Sequence, residues 1–333
     1  MTSRRLAKTP VAPQPESHGE GLEQQYGGRH TGRWVGHLPA SWIPYIQLAR
    51  LSPPAGVFLV LFPHLFGVVH GAILQRVAPA NVAPVGILVT IGSFFLSNAI
   101  HGWNDLIDAP IDRLVARTRN RPIVRGAISP KGALIFTLSQ CLGVGIILLA
   151  LPATATWVMI PGIIANIYYP WSKRHTHLAQ FVLGLCLAWG VYVGTAAVGA
   201  DLNAETLAPT TCLFLASSLW TVIYDTIYAF QDIADDEKIG LKSTAVLFQG
   251  WTKPFLWVSL SCTVLLLILY SQFCAARAQF YVVAIGGCLL SLGTMILKVD
   301  LRSPLSCWWW FRYGFWLAGG SIMGGLVSTY ILR

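Results

Sequence analysis

Nine stretches of mostly apolar residues, each long enough to span the hydrocarbon core of a bilayer, dominate this chain. They begin near Pro53, Ala83, Gly132, Ala153, Leu178, Ala208, Trp251, Gln279 and Cys307. A helix crossing that core needs about 20 apolar residues. Inside lipid every backbone N–H and C=O must be satisfied within the segment, which favours helices. The expected fold is therefore all-α, a multi-pass transmembrane bundle of about nine helices embedded in the lipid bilayer. The second, sixth and ninth stretches are interrupted by polar residues or glycine. Composition agrees: 54% of the 333 residues are hydrophobic and 11% are charged, against roughly 25% charged in soluble domains. One large soluble enzyme is excluded on that ground.

The formal net charge is +9, which in a soluble protein would point to nucleic acid. Here the basic residues lie in loops, so they report topology and no nucleic-acid partner is expected. Arg113, Arg117, Arg119, Arg121, Arg125 and Lys131 follow the second stretch. Lys173 and Arg174 follow the fourth, Lys238 and Lys242 the sixth, Lys298 and Arg302 the eighth. Loops after even-numbered spans share one membrane face. The loop after the fifth span carries Asp201 and Glu205 and no base. The excess of Lys and Arg in even loops places them, with the N-terminus, on the cytoplasmic side.

Two domains are expected: a disordered polar tail over residues 1–40 and a membrane domain over residues 41–333. The tail has no signal-peptide core. Glu16, Glu20 and Glu23 are unlike an acid-poor mitochondrial transit peptide. The expected location is an endomembrane rather than the mitochondrial inner membrane. The seven cysteines (141, 186, 212, 262, 274, 288 and 307) form no CxxC pair and read as packing residues.

Of the 14 acidic residues, eight fall in two clusters: Asp105, Asp108 and Asp112, then Asp225, Asp232, Asp235, Asp236 and Glu237. Both sit at the ends of even-numbered spans. Residues three or four apart share a helix face, so each cluster aims several carboxylates at one point. Pro110, lacking a backbone donor, is expected to end or kink the helix before Asp112. Mg²⁺ takes oxygen ligands and is commonly held by one or two carboxylates plus substrate phosphate oxygens. Two facing acid clusters beside basic loops therefore read as a Mg²⁺–phosphate site, with Arg and Lys on the remaining phosphate oxygens.

"NDLIDAPIDRLVARTRNRPI" (104–123) resembles the first signature of the UbiA family of intramembrane prenyltransferases, and "YDTIYAFQDIADDEKIGLKSTA" (224–245) resembles the second. "YPWSKRHT" (169–176) and "PYIQLARLSPPAG" (44–56) are similar to further elements of the branch containing 4-hydroxybenzoate polyprenyltransferases. The first motif looks closer to fungal meroterpenoid enzymes. Pro53-Pro54 replaces the Lys-Pro usual in the opening segment, and His101-Gly102-Trp103 precedes the first motif where small residues are common.

The resemblance implies nine helices around a central cavity, and prenyl transfer from a prenyl diphosphate to an aromatic acceptor with Mg²⁺. A farnesyl group and a phenolic acceptor in meroterpenoid secondary metabolism are expected. The alternative is the 4-hydroxybenzoate polyprenyltransferase of ubiquinone biosynthesis. By motif position Asn104, Asp105, Asp108, Asp112, Asp232 and Asp236 would bind Mg²⁺–diphosphate. Asp105, Asp108, Asp232 and Asp236 are the expected catalytic set. Arg121, Asp225, Asp235 and Lys242 would support them, and Lys173 and Arg174 would contact diphosphate or acceptor.

In such a reaction Tyr224, Tyr228, Phe230 and Trp220 are candidates to face a prenyl cation with their π systems, though core packing explains each singly. Trp308, Trp309 and Trp310 read as an interfacial aromatic belt. His101 is either a structural histidine or an aid to proton removal. Two rivals remain. A lipid-alcohol phosphotransferase would need a DGxxAR opening, absent from "NDLIDAPIDR". A cation-coupled transporter would place acids deep within spans rather than at helix ends.

Overall fold

The computed structural model describes residues 33–332. The expected tail lies outside the described residues as far as residue 32; its last part contains a short 3-10 helix, Arg33–His37. Fourteen α-helical segments follow among the described residues. They are α1 (Ile43–Leu48), α2 (Ala55–Gln75), α3 (Pro79–Asp112), α4 (Pro130–Leu149), α5 (Ala153–His175), α6 (Ala179–Ala188) and α7 (Gly190–Ala197). Then come α8 (Ala204–Ala229), α9 (Ile233–Ile239), α10 (Thr244–Leu247), α11 (Thr252–Phe273), α12 (Ala278–Phe280), α13 (Gly287–Lys298) and α14 (Pro304–Ile331). No strand occurs among the described residues, so the all-helical class stands.

Each apolar stretch of the sequence begins a long helix or a pair of collinear ones. Seven are long and apolar enough to cross a membrane: α2, α3, α4, α6 with α7, α8, α11, and α12 through α13. The chain is an integral membrane protein. The helices α5 and α14 are long but less apolar. Their Trp, Tyr and Arg residues lower the hydropathy of segments whose rings suit the membrane interface. Seven spans are thus supported on composition, against the nine expected.

Local sequence accounts for the breaks. Ser129 caps α4 by accepting from Gly132 N, and Asn203 caps α8 by accepting from Glu205 N and Thr206 N, satisfying donors that a helix start leaves open. The span over 179–197 breaks at Trp189, whose Nε1 donates to the Val158 carbonyl at 2.7 Å. A turn of π-helix, Tyr281–Gly286, joins α12 to α13.

The expected stop at Pro110 does not occur, because α3 continues through it to Asp112. The proline withholds the one backbone donor that would meet the Leu106 carbonyl, and α3 tolerates that single loss in its last turn. This keeps Asp105, Asp108 and Asp112 on one helical ladder.

The main core runs between α2, α8, α11, α13 and α14 and contains Phe66, Trp220, Tyr224, Phe311 and Phe315. The pair α2–α7 packs closely because glycines face backbone. A Cβ on Gly67 would lie 2.9 Å from Thr195 N, and one on Gly194 would lie 2.8 Å from Val68 N. Small residues at such crossings let helix backbones approach in lipid.

Candidate functional site: a charged cavity at the helix ends

The C-terminal ends of α3, α5 and α8 meet at one end of the bundle, which brings the two acid clusters together. A cavity between them is lined by Asn104, Asp108, Asp112, Arg117, Arg121, Lys173, Asp225, Asp232, Asp236 and Lys242. Its inner wall is apolar, with Leu59, Val60, Ile100, Leu183, Leu187 and Phe311, and with Tyr224 and Tyr228 between the two regions. A polar mouth over an apolar interior suits a ligand with a charged head and a hydrocarbon tail.

Ion pairs hold the first cluster. Arg121 Nη1 donates to Asp105 Oδ1 at 3.0 Å and to Asp112 Oδ2 at 2.7 Å. Arg50 Nη2 also reaches Asp105 Oδ1 at 3.0 Å. Lys173 Nζ donates to Asp108 Oδ2 at 3.1 Å, and Arg174 Nη2 stands 3.8 Å from Asp108 Oδ1 while donating to the Ile107 carbonyl at 3.0 Å. Asp105 and Asp108 are each only 2% exposed, a position tolerable for charge only with such partners.

Arg117 joins the second cluster to the loop after α3. Its Nε donates to Asp232 Oδ1 at 2.8 Å, a second guanidinium nitrogen also reaches Asp232, and Nη1 donates to Tyr228 Oη at 2.7 Å. Burial works against the Arg117 charge, but Asp232, Tyr228 and Asp112 together outweigh it and hold the pKa well above the ordinary arginine value. Burial also opposes charge on Arg121, and Asp105 with Asp112 reverses this, raising its pKa. Burial and then the neighbouring Asp232 push the Asp236 carboxyl up to about 7. The backbone N–H of Ala116 donates to Asp235 Oδ2 at 3.0 Å, tying the loop to α9. Lys242 is held at the end of α5 by its N–H to the Lys173 carbonyl at 2.9 Å.

Most of the residues expected from sequence converge. Asp105 faces Arg50 and Arg121 behind the lining, and Asp235 binds the loop rather than the cavity. Tyr224 and Tyr228 line the cavity, whereas Trp220 and Phe230 belong to the core. The aromatic-belt expectation is corrected for Trp308, which is 8% exposed and packs on Phe311, while Trp309 is 53% exposed. Sequence reading missed Arg50 and Arg117 as site residues. Both belonged to segments already singled out, but their partners lie 55 and 115 residues away.

Among the described residues no three Asp, Glu, His or Cys side chains form a ready-made metal cage. The donor set nevertheless fits a hard cation that shares its shell with phosphate oxygens. Asp108 Oδ1 is buried with no hydrogen-bond partner, an acceptor position open to such an ion.

Fold and site together define a polytopic membrane protein whose cavity matches an anionic head on an apolar tail. The UbiA prenyltransferase family model matches residues 60–319, and the chain belongs to that family. It is 34% identical over 303 residues to the mitochondrial 4-hydroxybenzoate polyprenyltransferase of Saccharomyces cerevisiae, covering 90% of this chain and 78% of that one. It is 35% identical over 303 residues to prenyltransferase stbC of Stachybotrys bisbyi, covering 88% and 89%. Among solved structures, the UbiA homologue of Aeropyrum pernix superposes with TM-score 0.65 at 22% identity, covering 83% of this chain and 97% of that one. The Archaeoglobus fulgidus homologue bound to GPP and Mg²⁺ gives 0.63 at 20%, covering 86% and 99%. These two likenesses concern the fold.

Proposed function

We propose that this chain transfers a prenyl group, farnesyl in the first instance, from its diphosphate to a phenolic aromatic acceptor, and does so with Mg²⁺ in meroterpenoid metabolism. The observation that carries this reading is the single cavity joining Asp108 and Asp232 under basic side chains and over a leucine-rich wall. The Stachybotrys relative favours this branch. The yeast relative favours the alternative acceptor, 4-hydroxybenzoate. We place the protein in an endomembrane, which subcellular fractionation checks against a mitochondrial marker.

In this reading Asn104, Asp108, Asp112, Asp232 and Asp236 are the groups that would hold Mg²⁺, with Asp108 and Asp232 foremost, and Asp105, behind the lining, would fix Arg50 and Arg121. Held by these groups, Mg²⁺ would supply positive charge against the departing diphosphate. Arg117, Arg121, Lys173 and Lys242 hold diphosphate oxygens, with Asp225 on the opposite wall and Arg174 steadying Asp108. The allylic C–O bond breaks with its electron pair going to the diphosphate oxygen. A ring carbon of the phenol supplies the pair for the new C–C bond, and loss of its proton restores aromaticity. Tyr224 and Tyr228 line the space beside the allylic cation, where Arg117 stands over the Tyr228 ring. Leu59, Leu183 and Leu187 keep water from it.

The test incubates membranes containing the chain with geranyl, farnesyl and longer diphosphates and a set of hydroxybenzoates. A product heavier than the acceptor by one prenyl group is expected. Absence of prenylated product with every pair overturns the reading.

A further inference from the structure

His101 is a cavity-lining side chain to which prenyl transfer, as described, gives no task. It stands on α3 one turn before Asp105 and lines the cavity with Arg50, Gly56 and Asn104. Its Nδ1 lies 3.3 Å from Ser97 Oγ, and Ser97 is fully buried. That contact occupies one ring nitrogen and fixes the ring. On the other edge stands Gly56, the second residue of α2. A Cβ there would collide with Cε1 and lie 2.7 Å from Nε2. Glycine at 56 therefore lets the α2 backbone lie against that edge, where any side chain would crowd the ring, and both residues line the cavity. Among the described residues nothing else hydrogen-bonds the ring, and Nε2 is not one of the sealed, unpartnered atoms of the interior.

A neutral imidazole carries one donor and one acceptor nitrogen. With Nδ1 engaged by Ser97, the single polar atom left for a ligand is Nε2. We infer that His101 Nε2 hydrogen-bonds the hydroxyl of the aromatic acceptor and selects for it, with Ser97 as the positioning residue that holds the ring. This rests on the transferase reading above. A phenolic hydroxyl both donates and accepts, so it satisfies Nε2 in either tautomer. A methyl ether offers no donor. The ligand class is therefore an aromatic ring with a free hydroxyl. The position fits, because α3 then presents the hydroxyl-binding group about two turns inward from Asp108, the nearest cavity-lining carboxylate of that helix.

The experiment uses the full chain in nanodiscs with Mg²⁺, farnesyl diphosphate, and 4-hydroxybenzoate or 2,4-dihydroxybenzoate as the acceptor probe, with 4-methoxybenzoate as a competing ligand. Loss of one hydrogen bond predicts a rise of roughly tenfold in acceptor KM for His101→Phe, with the farnesyl diphosphate KM moving by less than about twofold. The same variant is expected to lose the wild-type preference for hydroxy over methoxy compound. Gly56→Ala keeps the histidine but pushes its ring out of place, and is expected to raise acceptor KM in the same way. His101→Asn, which keeps a polar atom, is expected to recover part of the loss. Should His101→Phe fail to fold, Gly56→Ala carries the test. Unchanged acceptor KM in the folded variants, or an equal rise in both KM values, overturns the role of His101. No transfer by the wild-type chain to either probe overturns this inference, and none with any of the diphosphate and acceptor pairs above overturns the transferase reading itself.

Discussion

Asp108 combines burial, a lysine partner on one oxygen and no hydrogen bond on the other. Removing a group that stabilises charge developing in a transition state costs about 100-fold or more in kcat. Asp108→Ala and Asp232→Ala are each expected to lose transfer by at least about that factor, assayed in membranes with Mg²⁺; near-normal turnover would remove that residue from the metal set. Arg121 bridges two buried carboxylates, and breaking a buried pair from one side costs about 3–5 kcal/mol. Arg121→Met is therefore expected to lower thermal stability in detergent, where an unshifted melting curve would contradict the bridge. Asp236 supplies a pH dependence. Its folded pKa of about 7 lies above the ordinary value of 3.8, so the folded state binds the extra proton. Its contribution to stability is complete below the unfolded pKa and is lost as pH rises through about 7. The stability advantage of Asp236→Asn over wild type should therefore grow from acid to neutral pH and then level off; a constant difference would contradict this. The carboxylates were legible because acids are rare in this chain and their spacing is helical. Arg50 and Arg117 were not, because an ion pair between residues far apart in sequence leaves no periodic mark.

At the scale of elements, the loop between α3 and α4 acts as a strap. It is fastened to the far cluster by Ala116 N on Asp235 and by Arg117 on Asp232 and Tyr228. Asp235→Ala is expected to release one fastening and speed amide exchange within residues 113–129, read by hydrogen exchange in detergent; unchanged protection would mean the backbone contact is incidental. The α2–α7 crossing depends on glycine. Gly67→Ala introduces a methyl 2.9 Å from Thr195 N, and overpacking of this kind costs about 1–3 kcal/mol, so a lower melting temperature is expected. The long helices were legible from hydrophobic runs alone. The continuation past Pro110 was not, since a proline near a helix end costs little and tertiary ion pairs outweigh it. The break at Trp189 was equally silent, because it depends on the indole reaching a carbonyl of α5.

On the scale of the whole molecule, loop charge and helix ends agree. The ends of α3, α5 and α8 lie together, as the alternation of basic loops requires, and the charged mouth opens on that face while the leucine wall lies within the bundle. This arrangement argues against a transporter, whose charged sites would lie deep within the spans. The central claim is that two acid clusters, distant in sequence, form one ion-dependent prenyl-transfer site. The most direct measurement is product formation by the purified chain in nanodiscs from farnesyl diphosphate and a hydroxybenzoate. Wild type, Asp108→Asn and Asp232→Asn are compared, each with EDTA and with Mg²⁺ restored. The account predicts a prenylated phenol from wild type only with Mg²⁺ present, and loss of product in either variant. Undiminished product in EDTA, or full activity in either variant, would contradict it.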